Sequence, residues 1–115
     1  MSDIGCESET RGQCGIAMQS ALRSLEGRWK MMILSHLFYS GRPMRLSELK
    51  REIPDISQKM LIQQLRALED EAILERTVYP VVPPKVEYML TDLGRALETV
   101  FASLRHWADV KQASL

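Results

Sequence analysis

The chain has 115 residues, of which 15 are basic, 15 are acidic and 45% are hydrophobic. A chain of this length is predicted to form one domain, whose core hides roughly two thirds of the surface that the unfolded chain exposes. The zero net charge argues against a polyelectrolyte that coats nucleic acid indiscriminately, and no apolar run approaches the roughly 18 residues that span a membrane.

The N-terminus and the cysteines predict a cytoplasmic protein. The first residues are acidic and polar, and they lack the apolar core of a signal peptide. Both cysteines, Cys6 and Cys14, lie near the N-terminus, so they cannot form a disulfide framework across the domain. We therefore expect a reducing compartment and no contact with a membrane.

Residues 1–13 are expected to form a flexible tail, because they are small, polar or acidic and leave almost nothing to bury. The ordered domain is expected to span residues 14–110, with residues 111–115 as a C-terminal tail. Apolar residues at helical spacing predict a first helix over residues 15–26 and a second, more deeply buried helix over residues 28–39.

Two shorter helices with a tight connection are predicted next. After an extended stretch at residues 44–46, Ser47 is expected to cap a third helix. Pro54 ends this helix because proline disfavours the helical conformation of the residue before it, and Ser57 caps a fourth helix. Two helices separated by about three residues form a helix-turn-helix, although an αα-hairpin without a role in DNA binding fits the same local pattern.

The fourth predicted helix, residues 57–72, has one apolar face and one outward face. At helical spacing, the apolar stripe holds Leu61, Leu65, Leu68 and Ala72. The opposite stripe holds Lys59, Ile62, Gln63 and Arg66. Its polar members are long hydrogen-bonding side chains that suit base edges and phosphate oxygens. An ordinary amphipathic surface helix is the alternative. However, residues 42–66 carry six basic and three acidic side chains, and this excess of positive charge favours a nucleic-acid partner.

Two antiparallel strands, residues 74–79 and 86–90, are predicted to follow. Both are rich in β-branched and aromatic residues, and the second alternates apolar with other side chains. The three prolines between them suit a stiff projecting loop, with Lys85 expected at its tip. A helix-turn-helix followed by a hairpin is a winged helix, and a rigid surface hairpin is the alternative.

Thr91 is expected to cap a last helix that carries an apolar seam over four turns. The seam comprises Leu93, Leu97, Val100, Phe101, Leu104, Trp107 and Ala108. Folded against its own domain, this seam would be core, whereas an exposed seam would pair with a second copy of the chain. The first helix offers a similar surface, and a twofold dimer would bury both.

A family resemblance is carried by two segments, CGIAMQSALRSLEGRWKMMIL and GRPMRLSELKREIPDISQKMLIQQLRALEDEAILERTVYPVVPPKVEYMLTDLGRAL. Together they resemble the HxlR-type family of bacterial transcriptional regulators over about residues 14–107, most specifically in ERTVYPVVPPKVEYMLTDLGR. The resemblance implies a mainly α (α+β) winged helix-turn-helix with a β-hairpin wing and N- and C-terminal dimerisation helices. It also implies a homodimer that binds double-stranded DNA at an inverted-repeat operator and needs no cofactor.

The resemblance places the fourth helix in the major groove and the wing beside the minor groove. The residues expected to contact DNA are Arg45, Ser57, Lys59, Gln63, Arg66 and Lys85. Arg45 suits a phosphate contact near the start of the motif. Ile62 departs from the small polar residue expected on this face. It either touches a thymine methyl group, or the helix is rotated and other residues read the bases.

The resemblance also makes Cys14 a candidate redox switch. Many HxlR-type proteins carry an N-terminal cysteine at this position, and in some it senses oxidants, quinones or aldehydes. Arg11 and a nearby helix N-terminus favour the reactive thiolate, and Cys6 is the candidate resolving partner. A partly buried structural thiol is the alternative.

No motif indicates an enzyme or a metal site. The sequence lacks a nucleophile elbow and a glycine-rich phosphate loop, and its cysteines and histidines are not spaced as zinc ligands. Four methionines are predicted to lie in the core or to line a small pocket suited to an organic effector. These are Met18, Met31, Met32 and Met60. The competing function is a winged helix that contacts a partner protein without binding DNA.

Overall fold

The computed structural model describes residues 10–115. In chain order they form α1 (Arg11–Arg23), α2 (Lys30–Ser40), β1 (Met44–Arg45), α3 (Leu46–Glu52), α4 (Gln58–Asp70), β2 (Leu74–Tyr79), β3 (Lys85–Leu90), α5 (Asp92–Arg95) and α6 (Glu98–Ala113). The strands form an antiparallel sheet in the order β1-β3-β2. The predicted fold class, a mainly helical winged helix-turn-helix, is confirmed.

The core lies where α2, α3 and α4 meet the sheet. Its fully buried helical side chains are Ile33, Leu34, Leu37, Leu49, Leu61, Leu65 and Leu68. Burying one such side chain stabilises the fold by about 1.5–3 kcal/mol, so this cluster fixes the rotation of α4 about its axis. Ile53 and Ile56 in the turn between α3 and α4 are buried in the same core. The helix-turn-helix is therefore held as one rigid unit.

The two ends of α4 are fixed by local hydrogen bonds. The Ser57 hydroxyl accepts from the Met60 N–H at 3.1 Å, which confirms Ser57 as the N-cap. At the other end, Ala72 adopts a left-handed conformation with φ 62°, and the Ile73 N–H donates back to the Leu68 carbonyl. Ala72 is exposed beyond the helix, so its predicted place on the buried stripe was wrong.

The N-terminus of α3 differs from the prediction, because Arg45 rather than Ser47 is the N-cap. The Glu48 carboxylate accepts from the Arg45 N–H at 2.9 Å and thereby satisfies the backbone donor of the cap residue. Arg42 also donates to both oxygens of Glu48, at 2.7 and 3.3 Å. These hydrogen bonds from Arg42 and Arg45 lower the pKa of Glu48 from 4.5 to about 2.

Replacing Glu48 with glutamine is expected to lower stability at pH 7 by less than about 1 kcal/mol, because the pair with Arg42 is solvent-exposed. The folded-state pKa of Glu48 lies below the unfolded value, so its contribution is full above about pH 4.5 and fades as the pH falls toward 2. Urea unfolding of Glu48→Gln and the parent protein at pH 7 and pH 3 measures this. The matched control is Glu75→Gln, at an exposed position of β2, and a difference that stays constant with pH would contradict the expectation.

The predicted last helix is divided into α5 and α6, because its first turn is tied to the end of α4. The Thr91 hydroxyl accepts from the Gly94 N–H at 3.0 Å and donates to the Ala72 carbonyl at 2.6 Å. Gly94 is buried, and a Cβ atom there would collide with the backbone carbonyl of Ile73. Thr91 was therefore correctly predicted as a cap, but it caps the short α5 and not a continuous helix.

Gly94→Ala is expected to destabilise the protein by about 1–3 kcal/mol, because the added methyl group must displace the backbone at Ile73. Gly15→Ala is the matched control, since a Cβ atom at Gly15 meets nothing within 4 Å and alanine favours the helix α1. Chemical denaturation of both variants measures the difference. Equal stabilities of the two variants would contradict the close contact.

Both terminal helices are peripheral to the core. α1 begins at Arg11, before the predicted start at residue 15, because Thr10 and Gln13 form a reciprocal capping box with two hydrogen bonds of 3.1 Å. The expected tail over residues 1–13 therefore overlaps a helix, and residues 1–9 lie outside the described part. Neither α1 nor α6 has a buried residue. Met18 and Met32 are also exposed, so neither lies in the core, although Met18 lines an apolar groove beside α1.

Within residues 10–115, no helix is both long enough and apolar enough to cross a membrane.

Candidate nucleic-acid interface

The outward face of α4 presents the three polar side chains that the sequence singled out. Lys59, Gln63 and Arg66 are exposed, and they follow one another at offsets of four and three residues, so they form one ridge along the helix. We call these three residues the α4 ridge. Because the opposite side of α4 is locked in the core, the ridge is held outward without needing support from its own side chains.

Asp70 continues this ridge at its C-terminal end. It lies four residues after Arg66, is exposed, and was not recognised as part of the outward face in the sequence. A carboxylate repels phosphate, so the part of α4 that suits an anionic partner extends from its N-terminus to Arg66. The helix N-terminus adds backbone N–H groups and a favourable dipole at the same end.

Ile62 does not point outward with the ridge. It is partly buried and lines a hollow of about 220 Å³ between α4 and the sheet, together with Leu46, Val86 and Tyr88. Its position on the flank of α4 explains why an apolar residue is accommodated there. It also leaves Lys59, Gln63 and Arg66 as the foremost long polar side chains of the helix.

Arg76 shares this hollow with Arg66 and was missed in the sequence. Its guanidinium lies 3.7 Å from the carboxylate of Glu69, which is on the last turns of α4. Burial raises the pKa of Tyr88 in the same hollow, whereas the charges of Arg76 and Arg66 act in the opposite direction. The pairing of β2 with β3 places Arg76 opposite Tyr88, a register that the sequence alone does not give.

Arg45 and Ser57 are the N-cap residues of α3 and α4. Arg45 is exposed and ends β1 opposite Glu87 of β3. Ser57 is also exposed, and its hydroxyl is engaged as the cap of α4. Gln58, the first residue of α4, is a further exposed hydrogen-bonding side chain near Ser57 that sequence periodicity did not single out.

The wing differs from the prediction, because Lys85 is not at its tip. Lys85 is the first residue of β3 and pairs with Tyr79. Its ammonium lies 3.3 Å from the Glu87 carboxylate and 4.8 Å from the centre of the Tyr79 ring. The tip itself, residues 80–84, consists only of proline and valine, with Val82 fully exposed. The wing therefore presents an uncharged tip and a lysine that is already partly neutralised.

A second exposed surface lies on α1 and α6, away from the helix-turn-helix. Its apolar side chains are Ile16, Met18, Leu22, Val100, Leu104, Trp107 and Val110. We call this set the α1–α6 surface. Part of it lines an open apolar groove of about 960 Å³ between the two helices. The predicted seam of the last helix is thus largely exposed, apart from Leu97 and Phe101, which pack against the core.

Cys14 lies in the first turn of α1, is partly buried and takes part in a disulfide bond. Cys6, its predicted resolving partner, lies outside the described residues. Among residues 10–115, no group of three or more histidine, cysteine, aspartate or glutamate side chains is arranged to hold a metal ion.

Comparison with known proteins places this geometry in a family. The family described as HxlR-like helix-turn-helix matches residues 24–114. The uncharacterized HTH-type transcriptional regulator YtcD of Bacillus subtilis is 48% identical over 92 residues, which cover 80% of this chain and 71% of YtcD. The HTH-type transcriptional regulator YodB of the same organism is 46% identical over 92 residues, which cover 80% of each protein.

Solved structures agree with these relatives. The redox regulator HypR in its reduced form has a TM-score of 0.78 and 38% identity, and the match covers 84% of this chain and 93% of HypR. The quinone-bound form of YodB has a TM-score of 0.70 and 39% identity, and it covers 82% of this chain and 97% of that structure.

Proposed function

The chain belongs to the HxlR-like helix-turn-helix family of transcriptional regulators, which are not enzymes, and we propose that it binds an inverted-repeat DNA operator as a homodimer. The observation that carries this proposal is the α4 ridge. Lys59, Gln63 and Arg66 are exposed together on a helix whose opposite face is fixed in the core. A rigid helix of this kind fits the major groove of B-DNA.

The side chains of the α4 ridge differ in what they can recognise. Arg66 suits the O6 and N7 acceptors of guanine, and Gln63 suits the N6 and N7 groups of adenine. Lys59 lies in the first turn of α4 and suits a phosphate, as does Arg45 at the N-terminus of α3. Ser57 and Gln58 supply further hydrogen-bonding groups at the same end of the helix. In this division of roles, phosphate contacts give affinity and two ridge residues give sequence preference.

Lys85 is proposed to make a weaker contact with DNA than the residues of the α4 ridge. Its ammonium must leave Glu87 or share its charge with it to contact a phosphate, so its contribution is expected to be smaller than that of Lys59. The valines of the wing tip suit contacts with the sugars along the minor groove, where no charge is required.

The α1–α6 surface supports the dimer. An apolar surface of this kind is costly to leave in water, and a second copy of the chain has the same surface to offer. A twofold axis would place two copies of α4 in successive major grooves about 34 Å apart, which requires the operator to be an inverted repeat. In this proposal, the part of the chain from α1 to α6 combines DNA binding with dimerisation.

Thiol control at Cys14 is proposed because relatives of this chain are redox regulators. HypR is described as a redox regulator with reduced and oxidised forms, and YodB has diamide-treated and quinone-bound forms. Cys14 lies on α1, which carries part of the α1–α6 surface. Because Cys14 is disulfide-bonded in the structure, the proposed switch is between this form and the reduced or electrophile-modified thiol. The two forms are proposed to differ in the position of α1 and therefore in the separation of the two copies of α4.

Cys14→Ser is expected to abolish the response of DNA binding to diamide or to a quinone, while leaving the affinity of the reduced protein within about twofold of the parent. Fluorescence anisotropy with a labelled operator, before and after oxidant, measures both quantities. Cys6→Ser is the companion variant, and it is expected to block disulfide formation but not adduct formation by a quinone. An unchanged oxidant response in Cys14→Ser would contradict the proposal.

The test of DNA binding itself is its dependence on salt. With Lys59 and Arg45 of each subunit on phosphates, raising the salt from about 50 to about 200 mM should weaken binding by about 100-fold. The same titration with scrambled DNA should give a much lower affinity. DNA binding that depends on neither the salt concentration nor the DNA sequence would instead favour the alternative function, a winged helix that contacts a partner protein.

A further inference from the structure

A small pocket lies where the end of α1 meets the end of α4 and the short α5. Its volume is about 230 Å³, and it adjoins the groove between α1 and α6, with which it shares Leu25. The apolar side chains that line it are Ala21, Leu25, Ile73, Leu93, Ala96 and Leu97. Since an apolar cavity of about 150 Å³ accommodates benzene, this pocket has room for one substituted six-membered ring.

Two polar side chains lie at the rim of this pocket. The Ser24 hydroxyl donates to Oε1 of Glu71 at 2.7 Å. Ser24 is the C-cap of α1 and Glu71 is the C-cap of α4, so this hydrogen bond joins the ends of the two helices. Because Glu71 is exposed, its carboxylate can accept a second hydrogen bond or exchange the one from Ser24.

We infer that this pocket binds a small uncharged aromatic molecule with one hydrogen-bond donor, of the phenol class. The apolar wall favours the ring, and the Glu71 carboxylate accepts the hydroxyl hydrogen in a charge-assisted hydrogen bond. An aromatic carboxylate is disfavoured, because Glu71 would repel it and the neighbouring Asp70 would add to the repulsion.

A phenol that replaces Ser24 as the donor to Glu71 removes the hydrogen bond that joins the end of α1 to the end of α4. α1 carries part of the α1–α6 surface, and α4 carries the ridge, so the bound molecule changes the position of the ridge relative to the dimer axis. Phenol is therefore expected to lower the affinity for the operator, a consequence that rests on the proposed function, whereas the binding of phenol does not.

The experiment is a titration of the full-length protein in its disulfide-bonded form with phenol and, separately, with benzoate, followed by amide and methyl chemical shifts. Phenol is expected to bind with a dissociation constant on the order of 1 mM or below, with shifts centred on Leu25, Ile73 and Leu97. Benzoate is expected to bind at least about tenfold more weakly. Benzoate binding as tightly as phenol, or shifts centred elsewhere, would overturn the inference.

Two variants separate the pocket from general effects on folding. Ala21→Leu fills the pocket and is expected to abolish phenol binding, whereas Ala17→Leu places the same side chain one turn earlier on α1, outside the pocket, and should leave it intact. Glu71→Gln keeps the shape and is expected to weaken phenol about three- to tenfold while admitting benzoate. Phenol binding to Ala21→Leu at the parent affinity would overturn the inference.

Operator affinity in the presence of phenol is measured on the same samples. If phenol binds as described but no variant or parent binds any operator, the proposed function fails and the pocket stands. If the operator is bound normally and phenol causes no shifts, the pocket inference fails and the proposed function stands.

Discussion

Leu104→Asp is expected to convert the protein to a monomer and to weaken its binding to an inverted-repeat operator by at least about 100-fold. Leu104 lies in the middle of the α1–α6 surface, where a twofold partner would enclose it. Burying a carboxylate there without a partner would cost several kcal/mol of the free energy of dimerisation. A loss of about 2.7 kcal/mol already corresponds to a 100-fold change in affinity. A monomer also loses the gain in affinity from binding two half-sites at once.

Sedimentation equilibrium and operator anisotropy on the same preparation measure the two parts of this expectation. Ala102→Asp is the matched control, because it adds the same charge to an exposed position about half a turn away on α6. The control should remain dimeric and bind DNA like the parent. A dimeric Leu104→Asp, or a monomeric one that keeps the parent affinity, would rule out the α1–α6 surface as the dimer interface.

Arg66→Ala is expected to reduce discrimination against the wrong base at one position of each half-site by about 1–3 kcal/mol, or roughly 5- to 150-fold. Gln63→Ala should relax preference at a neighbouring position by a similar amount. The reason is that each side chain offers a bidentate pattern of hydrogen bonds that matches one base pair, and both are exposed on the α4 ridge. Competition with operators altered at single positions measures these preferences.

Lys59→Ala is the informative contrast, because a phosphate contact carries no sequence information. It should weaken binding to every sequence alike and lower the slope of log affinity against log salt by about two, one for each subunit. Lys85→Ala should do the same to a smaller extent, since Glu87 already holds its ammonium. If Arg66→Ala weakened all sequences equally and left base preference intact, its assignment to base recognition would be wrong.

The rotation of α4 could be predicted from sequence because its buried leucines recur at one helical spacing. Leu61, Leu65 and Leu68 are completely buried, and Lys59, Gln63 and Arg66 on the opposite stripe face outward. Ile62 was placed on the same stripe but lies on the flank of α4 against the sheet. The start of this leucine pattern also placed Ser57 before the helix interior, where it is the N-cap. The fold class followed from the same kind of pattern in the wing, whose first strand, Leu74–Tyr79, has the predicted bounds.

Some of the errors arose where distant backbone contacts decide the local structure. Lys85 belongs to β3 because it pairs with Tyr79, and the extent of strand pairing cannot be read from the loop sequence. The break between α5 and α6 follows from the contacts of Thr91 and Gly94 with the turn after α4. Arg45 replaced Ser47 as a cap because Glu48 bonds the Arg45 N–H. The contacts of Thr91 and Gly94 join residues whose proximity only the fold establishes. The hydrogen bond between Arg45 and Glu48 spans only three residues, and it is a local capping pattern that the sequence analysis missed.

Hydroxyl-radical footprinting of the reduced protein on the intergenic DNA next to its own gene tests the central claim most directly. A homodimer that reads DNA through the α4 ridge should protect two patches related by twofold symmetry, centred about 10–10.5 base pairs apart or a multiple of that distance, over an inverted repeat. A single asymmetric protected patch would contradict the proposed function. So would the absence of protection at concentrations at which the protein is fully dimeric.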